Sequence, residues 1–433
     1  MCQRWRCLVF GSPRRLNLQL CYFTHSRCAK KTLDVWPPAL PLLVHGSISN
    51  EDNVIFGLKH RISQINIGVN IGFNKFQDPY KAMQVPFPEL KGLYLSIRCR
   101  SDVPVLPDSF LGGSAPRLRY LYLGSIPFPG LPKLLLSTTQ LVNLYLRDIP
   151  DSGYISPEAM ATSLSMLTSL ETLQLEFSSL HSHPDHKSLP RSLPSIRSVL
   201  TLAHFRFKGA SKYLDEFVAR IDAPQLCGLF TTFFIGKKVK APEFGLFISR
   251  TPTLGAYDEA HLIFDGPNAL VRLRQSHPEP SEHDRTIKVE IECDEPCWRF
   301  SYMVQTCISS LRLLLTMENL YIDYRDLDTL SVWEGIEWLD YLRPFTAVKN
   351  LYLSELSSPL IALALKKLIG GRTTEVLPAL QNVFLEGFSP SEPVEKGIAR
   401  FISARQLIDH PVALFVWDKD PVWASDSEVY DSD

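Results

Sequence analysis

Residues 118–123 read Leu-Arg-Tyr-Leu-Tyr-Leu, and residues 141–146 repeat the phrase as Leu-Val-Asn-Leu-Tyr-Leu. Each copy ends in an apolar–other–apolar alternation, which is typical of a short strand with one buried face. The phrase, written L-x-x-L-x-L with any apolar residue in place of leucine, recurs along the chain. Clear copies have their apolar positions at Ile62, Ile65 and Ile67, at Leu90, Leu93 and Leu95, at Leu170, Leu173 and Leu175, at Met317, Leu320 and Ile322, at Val348, Leu351 and Leu353, and at Leu380, Val383 and Leu385. Weaker copies lie at Leu202, Phe205 and Phe207 and at Leu226 and Leu229.

The copies return at a regular distance. Middle apolar residues from Ile65 to Leu229 lie 28, 28, 23, 29, 32 and 24 residues apart, and those from Leu320 to Val383 lie 31 and 32 apart. A period of roughly 20–30 residues with this phrase is the signature of leucine-rich repeats. Since one unit cannot bury its apolar face alone, neighbouring units must stack. The sequence predicts an α/β fold: an irregular leucine-rich-repeat solenoid, or horseshoe, with a parallel concave sheet and helices on the convex side.

Segments between the strands carry apolar residues at helical spacing. Helices are predicted over 157–168, 211–221 and 359–369. Ser156 is suited to cap the first of them, because Pro157 follows it at the first helical position.

The strand pattern extends towards both ends and weakens in the middle. Two further strands at Leu16–Leu20 and Val412–Val416 bring the predicted total to about thirteen. Residues 230–315 follow the phrase poorly, although Ile287, Val289 and Ile291 alternate as in a strand.

Composition excludes several classes of protein. Lys plus Arg is 45 and Asp plus Glu is 46, so the net charge of −1 gives no general argument for binding nucleic acid or membranes. No apolar run approaches the roughly 20 residues of a membrane-spanning helix. The nine scattered cysteines are interpreted as reduced thiols of a cytoplasmic or nuclear protein. Seven basic side chains without an acid in residues 1–31 leave a mitochondrial address open.

Residues 2–20, CQRWRCLVFGSPRRLNLQL, resemble the end of an F-box and its link into repeats, as in a large family of fungal F-box proteins. Longer phrases resemble the same family along nearly the whole chain, at 104–123, 140–150, 152–160, 345–355 and 370–387. The resemblance implies a substrate receptor that hangs from a cullin ubiquitin ligase through the Skp adaptor.

The F-box resemblance covers only the closing helix of that motif. Trp5, Leu8 and Val9 match this helix and are the expected contacts with the adaptor. The earlier helices and the opening L-P-x-E motif do not precede them, so a truncated gene model, a true isoform and a decoy are all open. The predicted organisation is an F-box remnant at 1–13, a solenoid at 14–417 and an acidic disordered tail at 418–433.

The residue between the last two apolar positions of each copy is predicted to face the concave surface. These residues are Tyr94, Tyr122, Tyr145, Gln174, Arg206, Tyr321 and Tyr352, with Asn66 and Phe384 as further members. Tyrosine is enriched at binding hot spots, which favours a partner-binding surface for the set. The alternative is that aromatic pairs stabilise the sheet by about 0.5–1.5 kcal/mol each.

Other candidate sites have simpler interpretations. A cluster of His181, His183, Asp185 and His186 suggests a metal, but its proline-rich segment favours a loop between repeats. Cys293 and Cys297 lack the second pair that zinc sites usually have. No G-x-S-x-G or H-E-x-x-H motif occurs. No metal, cofactor or catalytic activity is therefore predicted.

Two functions remain open from the sequence. The first is a monomeric, non-catalytic protein-binding module that recognises substrates for an F-box ubiquitin ligase. The second is a repeat scaffold or decoy that is uncoupled from the ligase. The sequence does not name the bound protein.

Overall fold

Short strands that alternate buried and exposed residues dominate the computed structural model. It describes residues 19–23, 40–46, 58–69, 83–97, 105–179, 197–234, 241–254, 257–265, 268–275, 286–292, 312–325, 338–368, 370–387 and 392–418. The chain separates into two compact units, Met1–Leu226 (unit 1) and Cys227–Asp433 (unit 2). Both are mixed α/β units with mostly parallel sheets.

Unit 1 contains a parallel sheet whose strands pair in chain order, apart from one separate pair. Its described strands are β1 (Leu20–Phe23), β2 (Leu42–Gly46), β3 (Ile62–Val69), β4 (Gly92–Ile97), β5 (Tyr120–Gly124), β6 (Asn143–Ile149), β7 (Thr172–Phe177), β8 (Ser198–Val199), β9 (His204–Ala210) and β10 (Ile221–Asp222). Strands β8 and β10 form the separate pair, and the remainder form the sheet.

Short helices connect several of the consecutive strands of unit 1. The α-helices are α1 (Leu131–Leu135), α2 (Pro157–Leu164) and α3 (Ser211–Val218), and 3₁₀ turns lie at Phe110–Gly113 and Asp151–Gly153. The predicted cap of α2 is confirmed, because the Ser156 side chain accepts a hydrogen bond of 3.2 Å from the amide of Ala159. Helices α2 and α3 end earlier than predicted, because residues such as Leu167 continue the apolar spacing but belong to turns.

The repeated apolar positions form the core of unit 1. The first, second and third apolar positions of successive copies form three rows, and every member of each row is buried. The first row is Leu90, Leu118, Leu141, Leu170 and Leu202; the second is Ile65, Leu93, Leu121, Leu144, Leu173 and Phe205; and the third is Ile67, Leu95, Leu123, Leu146, Leu175 and Phe207. Burial of each such side chain stabilises the fold by roughly 1.5–3 kcal/mol. The repeated phrase therefore supplies much of the apolar burial that stabilises unit 1.

Unit 2 has a sheet whose strand order departs from the chain order. Its described strands are β11 (Gly228–Phe234), β12 (Glu259–Asp265), β13 (Asn268–Arg274), β14 (Thr286–Glu292), β15 (Asn319–Tyr324), β16 (Asn350–Leu353), β17 (Asn382–Glu386) and β18 (Ala413–Trp417). They pair in the order β11-β14-β13-β12-β15-β16-β17-β18. The prediction of a purely parallel sheet is wrong here, because β13 runs antiparallel to both β12 and β14.

The helices of unit 2 include a longer one near the C-terminal strand. They are α4 (Pro242–Arg250), α5 (Trp338–Leu342), α6 (Ser358–Leu365) and α7 (Glu392–Gln406), with 3₁₀ turns at Pro252–Leu254, Arg312–Thr316 and Gly370–Thr374. Helix α6 matches the predicted helix at 359–369 but ends four residues earlier.

An amide ladder fixes the register of three strands in unit 2. The Asn350 Nδ2 donates to the Asn319 Oδ1 at 2.7 Å, and the Asn382 Nδ2 donates to the Asn350 Oδ1 at 2.8 Å. Hydrogen bonds between side chains at equivalent positions hold neighbouring strands opposite each other.

The strand count differs from the prediction. Eighteen strands are described where about thirteen were expected, since β2, the β8 and β10 pair and the β12–β13 hairpin do not carry the phrase. The C-terminal strand predicted at Val412–Val416 is confirmed, but it begins and ends one residue later, at Ala413–Trp417. At the other end, residues 16–18 lie outside the described residues and β1 begins at Leu20. Within the described residues, no helix has the length and apolarity needed to span a membrane.

Candidate functional site

The face of each sheet opposite its buried rows is called here the open face. In unit 1 the predicted surface residues lie in register across it and form one row: Asn66, Tyr94, Tyr122, Tyr145, Gln174 and Arg206. His45, which was not predicted, extends this row on β2. The tyrosines and Arg206 are half-buried, whereas Gln174 is buried. The prediction that Tyr94, Tyr122, Tyr145, Gln174 and Arg206 lie side by side on one face of the sheet is therefore confirmed.

The tyrosines of this row contact one another. The rings of Tyr94 and Tyr122 stack with centroids 4.1 Å apart, and Tyr145 lies 6.3 Å from Tyr122 and 5.3 Å from Tyr120. Burial, followed by the neighbouring Tyr94, raises the pKa of Tyr122 to about 12. The hydroxyl therefore stays protonated at neutral pH and can both donate and accept hydrogen bonds.

A buried carboxylate beside the row was not predicted. The side chain of Glu176 is 5% exposed, and its two oxygens lie 3.1 Å from Arg147 Nε and 2.8 Å from Arg206 Nε. The Gln174 amide also donates to this carboxylate at 2.7 Å. The shared carboxylate acceptor holds Arg147, Arg206 and Gln174 in one arrangement, because charge-assisted hydrogen bonds are the stronger kind.

The open face of unit 2 has its own row of in-register residues. Its members are Phe230, Lys288, Arg272, His261, Tyr321, Tyr352, Phe384 and Phe415. Tyr321 and Tyr352 were predicted as binding residues and Phe384 as a member of the row. His261 and Phe415 were missed, since neither belongs to a copy of the phrase.

Five rings of the unit 2 row form a continuous stack. Centroid distances from His261 through Tyr321, Tyr352 and Phe384 to Phe415 are 4.2, 4.2, 4.4 and 5.2 Å. Consecutive rings are close to parallel, so they cover each other's faces and present their edges to solvent. Tyr321 and Tyr352 therefore offer hydroxyl groups and ring edges to a partner.

A shallow notch adjoins this stack. Trp417 packs edge-on against Tyr352 at 5.4 Å and Tyr321 at 6.0 Å, and the notch is also lined by His261 and Arg272. Its cavity volume of about 30 Å³ is far below the roughly 300–1,000 Å³ of small-molecule sites. The notch can accept part of one side chain, not a whole metabolite.

The buried His261 is expected to make the stability of unit 2 dependent on pH. Burial lowers its pKa, as do Arg274 and Arg272, while Glu259 raises it. The unfolded chain takes up a proton as pH falls below about 6.5, whereas folded His261 resists it, so stability present above this pH is lost on acidification. We expect the urea midpoint to fall between pH 7 and 5, and to fall less in His261→Phe, which keeps a ring in the stack.

A matched substitution separates this effect from general acid sensitivity. His410→Gln changes an exposed histidine and should leave the wild-type pH dependence intact. Identical pH slopes for wild type and His261→Phe would show that His261 does not carry the effect.

Several predictions fall on residues outside the described ones. These are the adaptor contacts Trp5, Leu8 and Val9 in the remnant at 1–13, and residues 419–433 of the tail. The loop with His181, His183, Asp185 and His186 and the segment with Cys293 and Cys297, neither of which was predicted as a metal site, also lie outside them. Within the described ranges, no group of three or more His, Cys, Asp or Glu side chains is arranged to hold a metal ion.

No protein-family model matches the chain, and no curated protein matches it. Function must therefore be argued from the side chains of the open faces themselves.

Proposed function

We propose that this chain is a non-catalytic protein-binding module, built as a leucine-rich-repeat solenoid, that recognises substrates for a cullin-type F-box ubiquitin ligase. It acts as a monomer in the cytoplasm or nucleus, binds a protein segment on its open faces, and leaves transfer chemistry to other subunits. The resemblance of residues 2–20 to an F-box ending motivates the ligase setting.

The observation that carries the binding proposal is the set of half-exposed aromatic residues on rigid strands. Tyr94, Tyr122 and Tyr145 lie on adjacent strands, as do Tyr321 and Tyr352, while the alternate residues are buried. Rings held by stacking lose little further side-chain freedom on binding, which favours affinity. Tyrosine also combines a large contact area with a hydrogen-bonding hydroxyl.

The double variant Tyr122→Ala/Tyr145→Ala tests the binding role. We expect the amount of partner captured at a fixed concentration to fall about tenfold or more, as for truncation of hot-spot aromatics. Capture is measured by affinity purification with quantitative mass spectrometry, against Met166→Ala as a control at an exposed position. The urea midpoint is measured in parallel. Unfolding of the double variant would instead support the sheet-stabilising role of the two rings.

A binary pull-down with a purified Skp adaptor tests the ligase setting. Recovery of the adaptor by the wild type and its loss in Trp5→Ala/Leu8→Ala would support the proposal. Failure of the wild-type chain to recover the adaptor would favour the alternative, a scaffold or decoy that is uncoupled from the ligase.

A further inference from the structure

A polar groove of unit 1 lies along the segments that lead into its strands, and it is called here the rim groove. Arg119, Val142, Glu171, Thr201 and Gln225 are among the residues that line it, and its cavity volume is about 550 Å³. All of its lining residues precede strands and belong to unit 1, so the groove is separate from the row of the open face. Its volume lies within the roughly 300–1,000 Å³ of ligand sites, unlike the notch of unit 2.

Two opposite charges of the rim groove stand apart from each other. The amides of Arg119, Val142 and Glu171 each donate at 2.8 Å to the carbonyl of the equivalent residue before the preceding strand. Arg119 and Glu171 are therefore two strands apart, about 10 Å at roughly 4.8 Å per strand. Both are exposed, and neither side chain forms an ion pair or a hydrogen bond with another residue that the structure describes.

The equivalent position in unit 2 shows how opposite charges behave on adjacent strands. Glu318 and Lys349 precede β15 and β16, which pair directly, and the Lys349 Nζ lies 2.8 Å from the Glu318 Oε1. In the rim groove, Val142 occupies the strand between the two charges. Arg119 and Glu171 are thus left to pair with charges of a ligand.

We propose that the rim groove binds an extended polypeptide segment that carries an acidic and a basic side chain about 10 Å apart. This inference rests on the proposed protein-binding function and adds to it a site outside the open faces. The acidic side chain pairs with Arg119 and the basic one with Glu171. In a polyproline II segment, three residues complete one turn and rise about 9 Å, so residues i and i+3 share one face at this spacing.

Polar side chains of the groove suit the backbone of such a segment. A polyproline II backbone has no internal hydrogen bonds, so its peptide groups need outside partners. Gln140 and Gln225 contribute amide groups to the lining, and Thr168 contributes a hydroxyl. The Thr201 hydroxyl donates to the carbonyl of Leu170 at 2.8 Å, which holds this wall in place before the partner arrives.

A polypeptide fits the rim groove better than a nucleic acid or a free amino acid. Glu171 repels a phosphate backbone, whose binding depends on basic side chains. The ammonium and carboxylate groups of a free amino acid are joined by a single carbon atom, so they cannot reach Arg119 and Glu171 together.

Fluorescence anisotropy with the full chain tests the proposal. The probes are four labelled ten-residue peptides of Ala and Pro that differ only in two side chains three positions apart: Glu with Lys, two Glu, two Lys, or two Gln. We expect the Glu/Lys peptide to bind most tightly and its affinity to fall as salt is raised. A fifth peptide with Glu and Lys adjacent should bind less tightly, because it cannot meet both charges of the groove.

Charge reversal should switch the preference of the groove. Arg119→Glu leaves two acids, so we expect affinity for the Glu/Lys peptide to fall about fivefold or more and the two-Lys peptide to bind most tightly. Glu171→Lys should instead favour the two-Glu peptide. Arg400→Glu makes the same change in net charge at an exposed position of α7 and should leave the order of affinities unchanged. The urea midpoint shows that each variant is folded.

Several results would overturn the proposal. These are equal binding of the peptides by the wild type, an unchanged order of affinities in Arg119→Glu and Glu171→Lys, or tighter binding of a single-stranded DNA than of the Glu/Lys peptide. If no peptide binds while Tyr122→Ala/Tyr145→Ala still lowers partner capture, the rim groove is not a binding site and the protein-binding function stands.

Discussion

Replacing Phe205 with alanine is expected to lower the free energy of unfolding by about 4 kcal/mol, as for other phenylalanine truncations in cores. Phe205 is fully buried on β9, and its ring lies 5.7 Å from that of Phe217 on α3. The resulting cavity cannot close readily, because ladder pairing to β7 fixes the strand. Urea denaturation of the whole chain measures the loss.

The neighbouring residue provides the control. His204 precedes Phe205 but points to the open face and is exposed. His204→Ala should therefore cost less than about 1 kcal/mol. Equal losses for the two variants would contradict the assignment of one buried face and one open face to β9.

Replacing Arg405 with alanine is expected to lower the free energy of unfolding by about 3 kcal/mol, because two carbonyls lose their donor and a cavity remains. Arg405 is fully buried on α7 and donates to the carbonyl of Leu377 and, at 3.3 Å, to that of Pro378. Leu377 has a φ of 50°, in the left-handed region that costs energy for a leucine. Arg405 therefore holds a strained turn in place.

A methionine at the same position separates packing from hydrogen bonding. Arg405→Met fills most of the volume but donates nothing, so we expect about half the loss caused by alanine. Differential scanning calorimetry measures both variants beside the wild type. A thermal midpoint of Arg405→Ala equal to that of the wild type would show that Arg405 does not hold the turn at Leu377 in place.

The repeated phrase predicts much of the fold because it encodes alternation. In Leu144-Tyr145-Leu146, a period of two places both leucines in the core and the tyrosine on the open face, and the structure has this arrangement. Since the copies share one pattern, the tyrosines align when the strands pair. Register follows from burial of the same face in every unit.

The β12–β13 hairpin could not be predicted from the phrase. Its strands carry alternating apolar residues, but their direction depends on pairing with β14 and β15. One local signal was available: Asp265-Gly266 between two apolar stretches is typical of a hairpin turn. This hairpin brings His261 and Arg272 into the row, so the unit 2 site was only partly foreseen.

The Glu176 cluster was missed for a different reason. The pairing of β6 with β7 shifts register between Leu146 and Ile149, where Asp148 has a φ of 51°. This bulge lies beyond the last position of the phrase, so alternation alone does not say what faces Glu176. Contacts made across a bulge depend on the tertiary structure.

Site-specific photo-crosslinking tests the central claim, that a protein partner binds the open faces. A photoreactive benzoylphenylalanine replaces Tyr145 or Tyr352 on the open faces, or the exposed Met166 or Leu363 away from them. Adducts with the same partner are compared by mass spectrometry. We expect adducts from Tyr145 or Tyr352 and none from Met166 and Leu363, whereas adducts from Met166 or Leu363 alone would contradict binding on the open faces.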